Sequence, residues 1–452
     1  MRNIFLSFLG TNNYIPCNYH PEHEEERVVE HVSYVQQALI SLYCQHFTTA
    51  DRIVVFTTRD AKRINWEDNG QYNPISKAYD LPNQGLKSIL HSMRLAPAFE
   101  QVDIVEGFSE AEIWAIFQTV YEVLEPGDKV VFDITHAFRS LPMLGMSLIH
   151  YAKAMKNIEV AGVYYGAFEK LGPAHIVRTL PIDERNAPIL NLKAFSDLQD
   201  WTTAAQDFVQ YGTSDRWRQL VQAEIRPIMA SSKGQDVEAG NLQSVAKGIG
   251  DLTASIQNNR GQEIMRIPAS SLPAKLTKVL ASDGLIKPLR PILEKVQQKV
   301  APLIAAGELS WLAAVAWCIQ HQMVQQGITQ LQEGLLTWIC QQLAAEKNPH
   351  SAFFDWQQKA PRNLISGVLH LCKQEKNPEE WKGELAIQPE ITHFLFDHRL
   401  MLTWAPHYDS LSKLRNDINH GGYTDNAQAK SFEKKLKEHY QAVQAGLGLY
   451  ER

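Results

Sequence analysis

Near the carboxyl end of the chain, the segment LRNDINHGG (414–422) carries three side chains that can act together on a phosphate: Arg415, Asn416 and His420. Histidine has an ordinary pKa of about 6.5, so it can serve as an acid or a base near neutral pH. Arginine keeps its charge and pairs with phosphate oxygens through a planar set of N–H groups. These groups suit metal-free cleavage of RNA, in which the ribose 2′-oxygen attacks the adjacent phosphorus. Asparagine would then orient the phosphate or the imidazole.

The apolar spacing around these residues predicts the element that carries them. Leu411, Leu414 and Ile418 fall on one stripe, so residues 409–420 are expected to form a helix. The two glycines that follow are typical of a helix end.

The same helix separates the reactive groups. At about 100° per residue, Asn416 and His420 share a face, whereas Arg415 lies roughly 140° away from His420. Two arrangements would bring them together: the long arginine side chain could reach around the helix, or a second copy of the helix across a two-fold axis would supply both arginines and both histidines to one cleft. The alternative is a solvated helix end without chemistry, because 16 histidines in the chain allow this spacing to arise by chance.

Length and composition indicate a folded protein with two or three domains, at roughly 150 residues per domain. The chain has 452 residues, of which 44% are hydrophobic and 21% charged. A net charge of −6 argues against a protein that coats nucleic acid through a broad basic surface. Five scattered cysteines without CxxC spacing indicate neither a disulfide framework nor a zinc site, so we expect a reducing cytoplasm and no metal or other cofactor. The apolar stretch 301–319 contains Glu308 and is expected to be a packed helix of a soluble protein.

The first 180 residues alternate short apolar runs with helical patterns. This alternation predicts a Rossmann-like α/β domain with a doubly wound, parallel sheet. The expected strands are 4–9, 53–58, 102–105, 130–134 and 160–168, and the expected helices are 24–43, 110–124 and 141–156. The domain is expected to close with a hairpin that pairs 162–168 with 175–182.

From about residue 188 onward the strand signal fades, and helical stripes take its place, such as Leu331, Leu335, Ile339 and Leu343. We therefore expect a boundary near 183–190, with the α/β domain at 1–185 and an all-α domain at 186–452. Residues 230–262 are rich in Ser, Gly, Gln and Asn, which predicts a flexible excursion between helices.

Two loops of the α/β half carry polar residues at the ends of predicted strands. In a doubly wound sheet, ligands bind at the carboxyl ends of the strands, where the strand order reverses. Backbone N–H groups at the N-terminus of a following helix favour an anion such as phosphate. The candidate ligand contacts are Gly10, Thr11, Asn12 and Asn13 after the first strand, and Thr135, His136 and Arg139 after the fourth.

Other interpretations of these loops stay open. GTNNY (10–14) could be only a turn, and Asp133, Thr135 and His136 could serve only to tie a loop to the core. A dinucleotide site is less favoured because no GxGxxG follows the first strand, although Asp60 follows the second, where a ribose contact would lie.

Three segments, in this order, resemble a known family. FLSFLGTNNYIPCNYH (5–20), VVFDITHAFRSLPML (130–144) and LRNDINHGGY (414–423) are similar to segments of the CRISPR-associated ribonucleases of type III systems. These ribonucleases join an N-terminal CARF sensor to a C-terminal HEPN effector. The likeness spans nearly the whole chain, although residues 190–400 add only helicity. One departure is Ala137, where glycine often follows the histidine in the family.

The resemblance implies that a dimer of the CARF domain binds a cyclic oligoadenylate, most often cyclic tetra-adenylate, through the strand-end loops. It also implies that the HEPN domain, as a dimer or higher even oligomer, then cleaves single-stranded RNA, with Arg415, Asn416 and His420 as catalytic residues. DNA, which lacks the 2′-hydroxyl, would not be cleaved, and no membrane partner is expected. Two further interpretations remain: a sensor with an inert helical dimerisation or adaptor module, and a sensor whose paired loops also linearise the bound ring.

Overall fold

A computed structural model describes residues 1–68, 71–73, 76–136, 141–282, 289–372, 381–423 and 428–448. The chain divides into two compact units, Met1–Asp200 and Trp201–Arg452. Each unit contains its own hydrophobic clusters.

The first unit is built around a large mixed sheet. Its strands are β1 (Asn3–Leu9), β2 (Cys17–Pro21), β3 (Val29–Val32), β4 (Arg52–Thr57), β5 (Gln71–Asn73), β6 (Ala78–Leu81), β7 (Ala98–Asp103), β8 (Lys129–Asp133), β9 (Glu159–Gly166) and β10 (Asn186–Asn191). Within the described residues, eight of them form one sheet in the order β3-β2-β10-β9-β8-β1-β4-β7, while β5 and β6 form a separate pair. The run β9-β8-β1-β4-β7 is parallel, which confirms the predicted parallel core.

Strand β1 illustrates why an uninterrupted apolar run suits the middle of this sheet. Successive side chains of a strand point to opposite faces. Ile4, Leu6 and Phe8 enter one hydrophobic cluster, and Phe5 and Leu9 enter another. The strand is therefore buried on both faces, as expected for a parallel strand covered by helices on each side.

The helices of the first unit are α1 (Val35–Tyr43), α2 (Arg59–Ala61), α3 (Leu86–Ser92), α4 (Glu110–Val123), α5 (Leu141–Lys156) and α6 (Ala174–Val177). Helices α4 and α5 confirm the predictions at 110–124 and 141–156. The first half of the helix predicted at 24–43 is wrong, because β3 pairs there with β2 and the helix begins only at Val35. The exposed acidic residues that precede β3 supply no apolar stripe that could pack a helix onto the sheet.

The predicted closing hairpin is also wrong. Strand β9 pairs antiparallel with β10, whereas part of the segment 175–182 belongs to helix α6. Strand β10 also pairs with β2, so a partner far away in the chain helps to hold it in the sheet. The predicted boundary between 185 and 186 falls before this strand, and the compact units divide between Asp200 and Trp201. The strand predicted at 102–105 is shifted, since β7 covers Ala98–Asp103.

The second unit is helical. The division between the units falls inside α7 (Lys193–Tyr211), and the following helices are α8 (Asp215–Ser231), α9 (Val237–Gln257), α10 (Gly261–Arg266), α11 (Leu272–Ala281), α12 (Leu289–Ala305), α13 (Ser310–Gln320), α14 (Val324–Ala345), α15 (Lys359–Cys372), α16 (Glu384–Ile387), α17 (Pro389–Phe396), α18 (Arg399–Asn419) and α19 (Ala429–Leu447). In the described part of the chain, no single helix has the length and apolar character needed to cross a membrane; by these criteria only the pair Arg290–Ala305 and Gly307–Gln320, bent by 106°, would qualify.

Two hydrophobic clusters lie in the helical unit. The first joins α8, α9, α11 and α12, and the second joins α14, α15, α18 and α19. Helix α13 contributes to both, because Trp317 packs into the first cluster and Trp311 into the second. The apolar stripe predicted from Leu331 to Leu343 on α14 is buried in the second cluster.

The flexible excursion predicted at 230–262 is wrong. Most of that segment is the long helix α9 and the start of α10. Val245, Ile249, Leu252 and Ile256 on α9 are fully buried in the first helical cluster. Apolar residues recur every three or four positions there, and this stripe outweighs the many polar and glycine residues between them.

Candidate functional site

The carboxyl ends of β1 and β8 lie at the switch point of the sheet. The two strands are neighbours, yet β4 and β7, which come between them in the chain, lie on the far side of β1, whereas β9 lies on the far side of β8. A crevice for ligands forms where the strand order reverses in this way. Gly10 follows β1, and Thr135 and His136 follow β8, so the fold brings the two predicted loops together.

Gly10, Tyr14, Thr135 and His136 form what we call the strand-end site. The Gly10 backbone N–H donates to Tyr14 Oη at 2.9 Å, and the Tyr14 ring packs edge-on against His136 with ring centroids 4.6 Å apart. A Cβ on Gly10 would lie 3.1 Å from Tyr14 Oη and 3.5 Å from His136 Cβ. Glycine therefore permits a close approach of the β1 loop to the β8 loop.

His136 contributes a neutral imidazole to the strand-end site. Burial lowers the pKa of His136 to about 4, so the ring carries no charge at neutral pH. Its buried Nε2 has no hydrogen-bond partner among the described residues. The site thus contains one polar nitrogen that a bound molecule could engage.

Thr135 is tied to the core of the first unit. Its backbone N–H and its hydroxyl donate to Asp133 Oδ1 at 2.9 and 2.6 Å, and its hydroxyl accepts from the Gly166 N–H at 2.9 Å. Asp133 is fully buried and also accepts from the Ser7 hydroxyl at 2.6 Å. Burial raises the pKa of Asp133 to about 6 despite these bonds. This geometry is that of a residue that positions the loop, as the loop-tying interpretation expects.

The buried side-chain amide of Asn65 holds the loop that follows β1. Asn65 Nδ2 donates to the carbonyl oxygens of Gly10 and Asn12 at 2.9 and 3.0 Å. Asn13 Nδ2 donates to the Tyr72 carbonyl at 3.0 Å. These bonds fix the path of the loop.

The other loop candidates divide into exposed residues and one that is not described. The side chains of Thr11 and Asn12 are exposed. Arg139 lies outside the described residues. Sequence reasoning missed Tyr14 as a site residue, although it lies within GTNNY, and it missed Asn65, which is 55 residues from Gly10 and has no nearby signal.

The end of α18 presents two of the three candidate catalytic residues to solvent. The helix ends at Asn419, which confirms the predicted helix, and Gly421 and Gly422 follow with φ of +69° and +70°. His420 caps the helix, and its backbone N–H donates to the Asn416 carbonyl at 2.9 Å. The side chains of Asn416 and His420 are both exposed.

Arg415 points instead toward α14. Its Nη1 donates to Glu333 Oε1 at 2.8 Å, and Arg362 Nη2 donates to Glu333 Oε2 at 2.7 Å. We call Glu333, Arg362 and Arg415 the arginine–glutamate cluster. Within one chain, the structure therefore groups Arg415 with Glu333 and leaves Asn416 and His420 on the open side of α18. Glu333 lies 82 residues from Arg415, and no local pattern in the sequence indicated that the two would meet.

A metal centre is not evident in the described part of the chain, where no three His, Cys, Asp or Glu side chains converge. The groups suited to contact a bound molecule are the backbone and neutral side chains of the strand-end site and the cationic and imidazole groups of α18.

Comparison with known proteins identifies segments in both units. Residues 4–169 match the CARF domain of the CRISPR system endoribonuclease Csx1, and residues 197–302 match the second domain of the CRISPR-associated protein MJ1674. The CRISPR-associated protein MJ1674 of Methanocaldococcus jannaschii is 27% identical over 125 residues, which are 27% of this chain and 18% of that protein. The aligned segment therefore spans less than a fifth of the length of that relative.

These matches agree with the geometry of the first unit. The matched CARF segment contains the sheet from β1 to β9 and the whole strand-end site. The second matched segment contains most of the helices of the first helical cluster, whereas α18 and the arginine–glutamate cluster lie beyond both segments. The chain is therefore a CRISPR-associated protein with a Csx1-like CARF domain.

Proposed function

We propose that this protein is an endoribonuclease that a cyclic oligoadenylate activates and that cleaves single-stranded RNA without a metal ion. The observation that carries the proposal is the combination, in one chain, of a Csx1-like CARF domain with a helix end that bears Arg415, Asn416 and His420. Csx1 is described as a CRISPR system endoribonuclease, which supports the same reaction here.

The strand-end site is suited to a small anionic ligand. A net charge of −6 disfavours a broad electrostatic surface, so binding must rest on local donors. Such donors would come from the backbone of the loop after β1 and from the start of α5, because a helix N-terminus favours phosphate. A second copy of the domain across a two-fold axis would double these contacts, which matches a symmetric ring such as cyclic tetra-adenylate.

The end of α18 is suited to cleavage by the 2′-hydroxyl. His420 from one copy would remove the 2′-proton, and His420 from the other would protonate the departing 5′-oxygen, because histidine serves in proteins both as a general base and as a general acid. Arg415 would stabilise the crowded anionic phosphate between these steps. Arg415 and His420 leave α18 in different directions, so a site built by two copies of the helix is more plausible chemically than a site within one copy.

The decisive experiment is cleavage of labelled single-stranded RNA across a panel of cyclic oligoadenylates, each with and without EDTA. We expect cutting with one ring size, equal rates in EDTA, products with a 2′,3′-cyclic phosphate, and no cutting of the DNA of the same sequence. Metal-dependent cutting would exclude the mechanism, and the absence of cutting with every ring would exclude the activity.

A second candidate is a sensor whose helical unit only assembles with a partner. The observation that favours it is the bond between Arg415 and Glu333, because a guanidinium paired with a carboxylate is partly neutralised toward phosphate. In this case the protein would bind the cyclic ligand with the same affinity, yet RNA would stay intact at every ring size tested.

A further inference from the structure

A cavity of about 270 Å³ lies in the helical unit beside the arginine–glutamate cluster. Its walls come from the start of α10, from α13 and α14, and from the segment that leads into α15. Glu333 and Arg362 line it, and Glu333 also accepts a hydrogen bond from Arg415. The Glu333 carboxylate therefore contacts both the cavity and the Arg415 guanidinium, which we assign to the scissile phosphate.

The charges in the cavity wall cancel. Glu333 and Arg362 are the charged residues of its described lining, and they form an ion pair at 2.7 Å. Arg362 Nη1 also donates to the Thr337 hydroxyl at 2.8 Å, which holds the guanidinium in the wall. A phosphate needs an uncompensated cation to offset its charge, so it is poorly matched to this lining. A neutral ligand with hydrogen-bonding edges is well matched.

The rest of the wall combines aromatic rings with side-chain amides. Trp311 and Trp356 line the cavity together with Asn259, Gln330 and Gln357. Gln330 is only 3% exposed, and its Nε2 lies 3.4 Å from Asn259 Oδ1. Rings and amides of this kind stack on unpaired nucleobases and hydrogen-bond to their edges in single-stranded RNA recognition.

One donor in this wall is unused by the protein. Trp311 is 1% exposed, and its Nε1 has no hydrogen-bond partner within the described residues. Buried N–H groups are usually paired, because an unpaired one loses its bond to water without a replacement. An acceptor atom on a bound ligand is the kind of partner that such a donor lacks.

We propose that this cavity binds a nucleobase of the substrate RNA while the adjoining phosphate lies at Arg415. The inference rests on the proposed RNA cleavage and adds recognition of a base to it. The base stacks on the half-buried Trp356, and its edge meets the amides of Gln330 and Gln357. The neutral lining excludes the phosphate, which stays on the far side of Glu333.

Binding measured without cleavage tests this proposal. The experiment uses the full chain with His420→Ala, a fluorescein-labelled single-stranded RNA and fluorescence anisotropy. Adding Trp356→Ala should raise the Kd by roughly 5- to 150-fold, the usual loss when a base loses its aromatic stacking partner. Trp356→Phe, which keeps a smaller ring, should fall between Trp356→Ala and the parent protein.

The matched pair Gln357→Ala and Gln358→Ala separates recognition from general damage to this loop. Both glutamines are exposed neighbours, but only Gln357 lines the cavity. Gln357→Ala should weaken RNA binding by a few-fold, whereas Gln358→Ala should leave it unchanged. If Trp356→Ala lowers the melting temperature strongly, the glutamine pair alone decides the outcome.

The results distinguish failure of this inference from failure of the proposed function. If Trp356→Ala and Gln357→Ala bind RNA as tightly as Gln358→Ala does, the base-binding cavity is wrong, even if the wild type cleaves RNA. If these two variants lose binding but the wild type cleaves no RNA with any ring, the base-binding cavity stands and the nuclease proposal is wrong. Cleavage of poly(A), poly(C) and poly(U) should also show a wild-type preference that Gln357→Ala reduces, and an unchanged preference would count against the cavity.

Discussion

The polar side chains of the strand-end site and those at the end of α18 differ in their exposure to solvent. Asp133, Thr135 and His136 are largely or fully covered, and Thr135 is bonded to the core on both sides. Asn416 and His420 face solvent, whereas Arg415, their neighbour on the helix, donates a hydrogen bond to Glu333. The hydrogen bonds of Asp133 and Thr135 in the first site are made within one chain, because buried polar groups usually need partners. Under the proposed function, the second is a half-site, whose geometry depends on a substrate or a second copy.

This difference predicts how each region responds to change. Substitutions at the end of α18 should remove chemistry with little effect on folding, since Asn416 and His420 face solvent and the Arg415–Glu333 ion pair is partly exposed. Substitutions at the strand-end site should change stability, its pH dependence and ligand affinity together.

The largest expected effect is the loss of cleavage on changing the end of α18. His420→Ala and Arg415→Ala should each lower kcat/KM for activated RNA cleavage by roughly 10²- to 10⁴-fold, the usual range for a general acid or base and its supporting charge. The affinity for cyclic tetra-adenylate, measured by calorimetry, should stay unchanged. Asn419→Ala, also exposed at this helix end, is the control. Full cleavage by both variants would remove the two residues from the mechanism.

The buried pair of titrating groups in the first unit should give opposite pH slopes of stability. The folded pKa of His136 is about 4, below its unfolded value of about 6.5, so the folded state binds fewer protons between these limits and is stabilised as the pH rises. The folded pKa of Asp133 is about 6, above its unfolded value of about 3.9. The folded state therefore binds more protons between these limits and is destabilised as the pH rises.

Denaturant unfolding between pH 4 and 6.5, which these pKa values delimit, separates the two contributions. Asp133→Asn should leave a stability that rises with pH, by up to about 1.4 kcal/mol per pH unit. His136→Asn should leave a stability that falls with pH over the same range. The wild type should be nearly flat because the slopes oppose each other. Parallel curves for the two variants would contradict the assignment.

A smaller effect is expected from Gly10→Ala. The new Cβ would lie 3.1 Å from Tyr14 Oη, which is closer than ordinary contact, so the loop and the Tyr14 hydroxyl must move apart. Overpacking of this kind costs about 1–2 kcal/mol, which corresponds to a Kd for cyclic tetra-adenylate that is roughly 5- to 30-fold weaker. Gly240→Ala, where no atom lies within 4 Å of the added Cβ, is the matched control. Equal affinity in both variants would mean that the close approach at Gly10 does not shape the ligand site.

The smallest effect is expected from Glu333→Gln. The amide oxygen can still accept from a guanidinium, but the negative charge beside Arg415 is gone, so RNA should bind a few-fold more tightly in anisotropy measurements at low salt. The Glu333 side chain is 42% exposed, and solvent screening should keep the change in the free energy of unfolding within about 1 kcal/mol. Glu308→Gln, at an exposed carboxylate outside the cluster, should change neither quantity. Weaker RNA binding by Glu333→Gln would instead assign the carboxylate to the correct placement of Arg415.

Most of the correct fold predictions came from the local periodicity of apolar residues. The runs IFLSFL and IVVFTT correspond to β1 and β4, and the stripe on α14 is buried as expected. These predictions succeed because burial on two faces of a strand, or on one stripe of a helix, leaves a pattern within a few neighbouring residues. The prediction of a flexible excursion at 230–262 is wrong because burial of the apolar stripe of α9 stabilises a helix despite the polar composition of the segment.

The candidate sites show the same difference between local patterns and contacts of distant residues. Short segments of the sequence are enough to show that polar residues follow β1 and β8 and that Arg415, Asn416 and His420 lie at the end of one helix. Three other features became evident from the folded chain: β10 pairs with β9, Asn65 donates to the Gly10 carbonyl, and Glu333 accepts from Arg415. The last two contacts join residues 55 and 82 positions apart, and no local pattern records which distant side chain packing will bring to a given hydrogen-bond donor or acceptor.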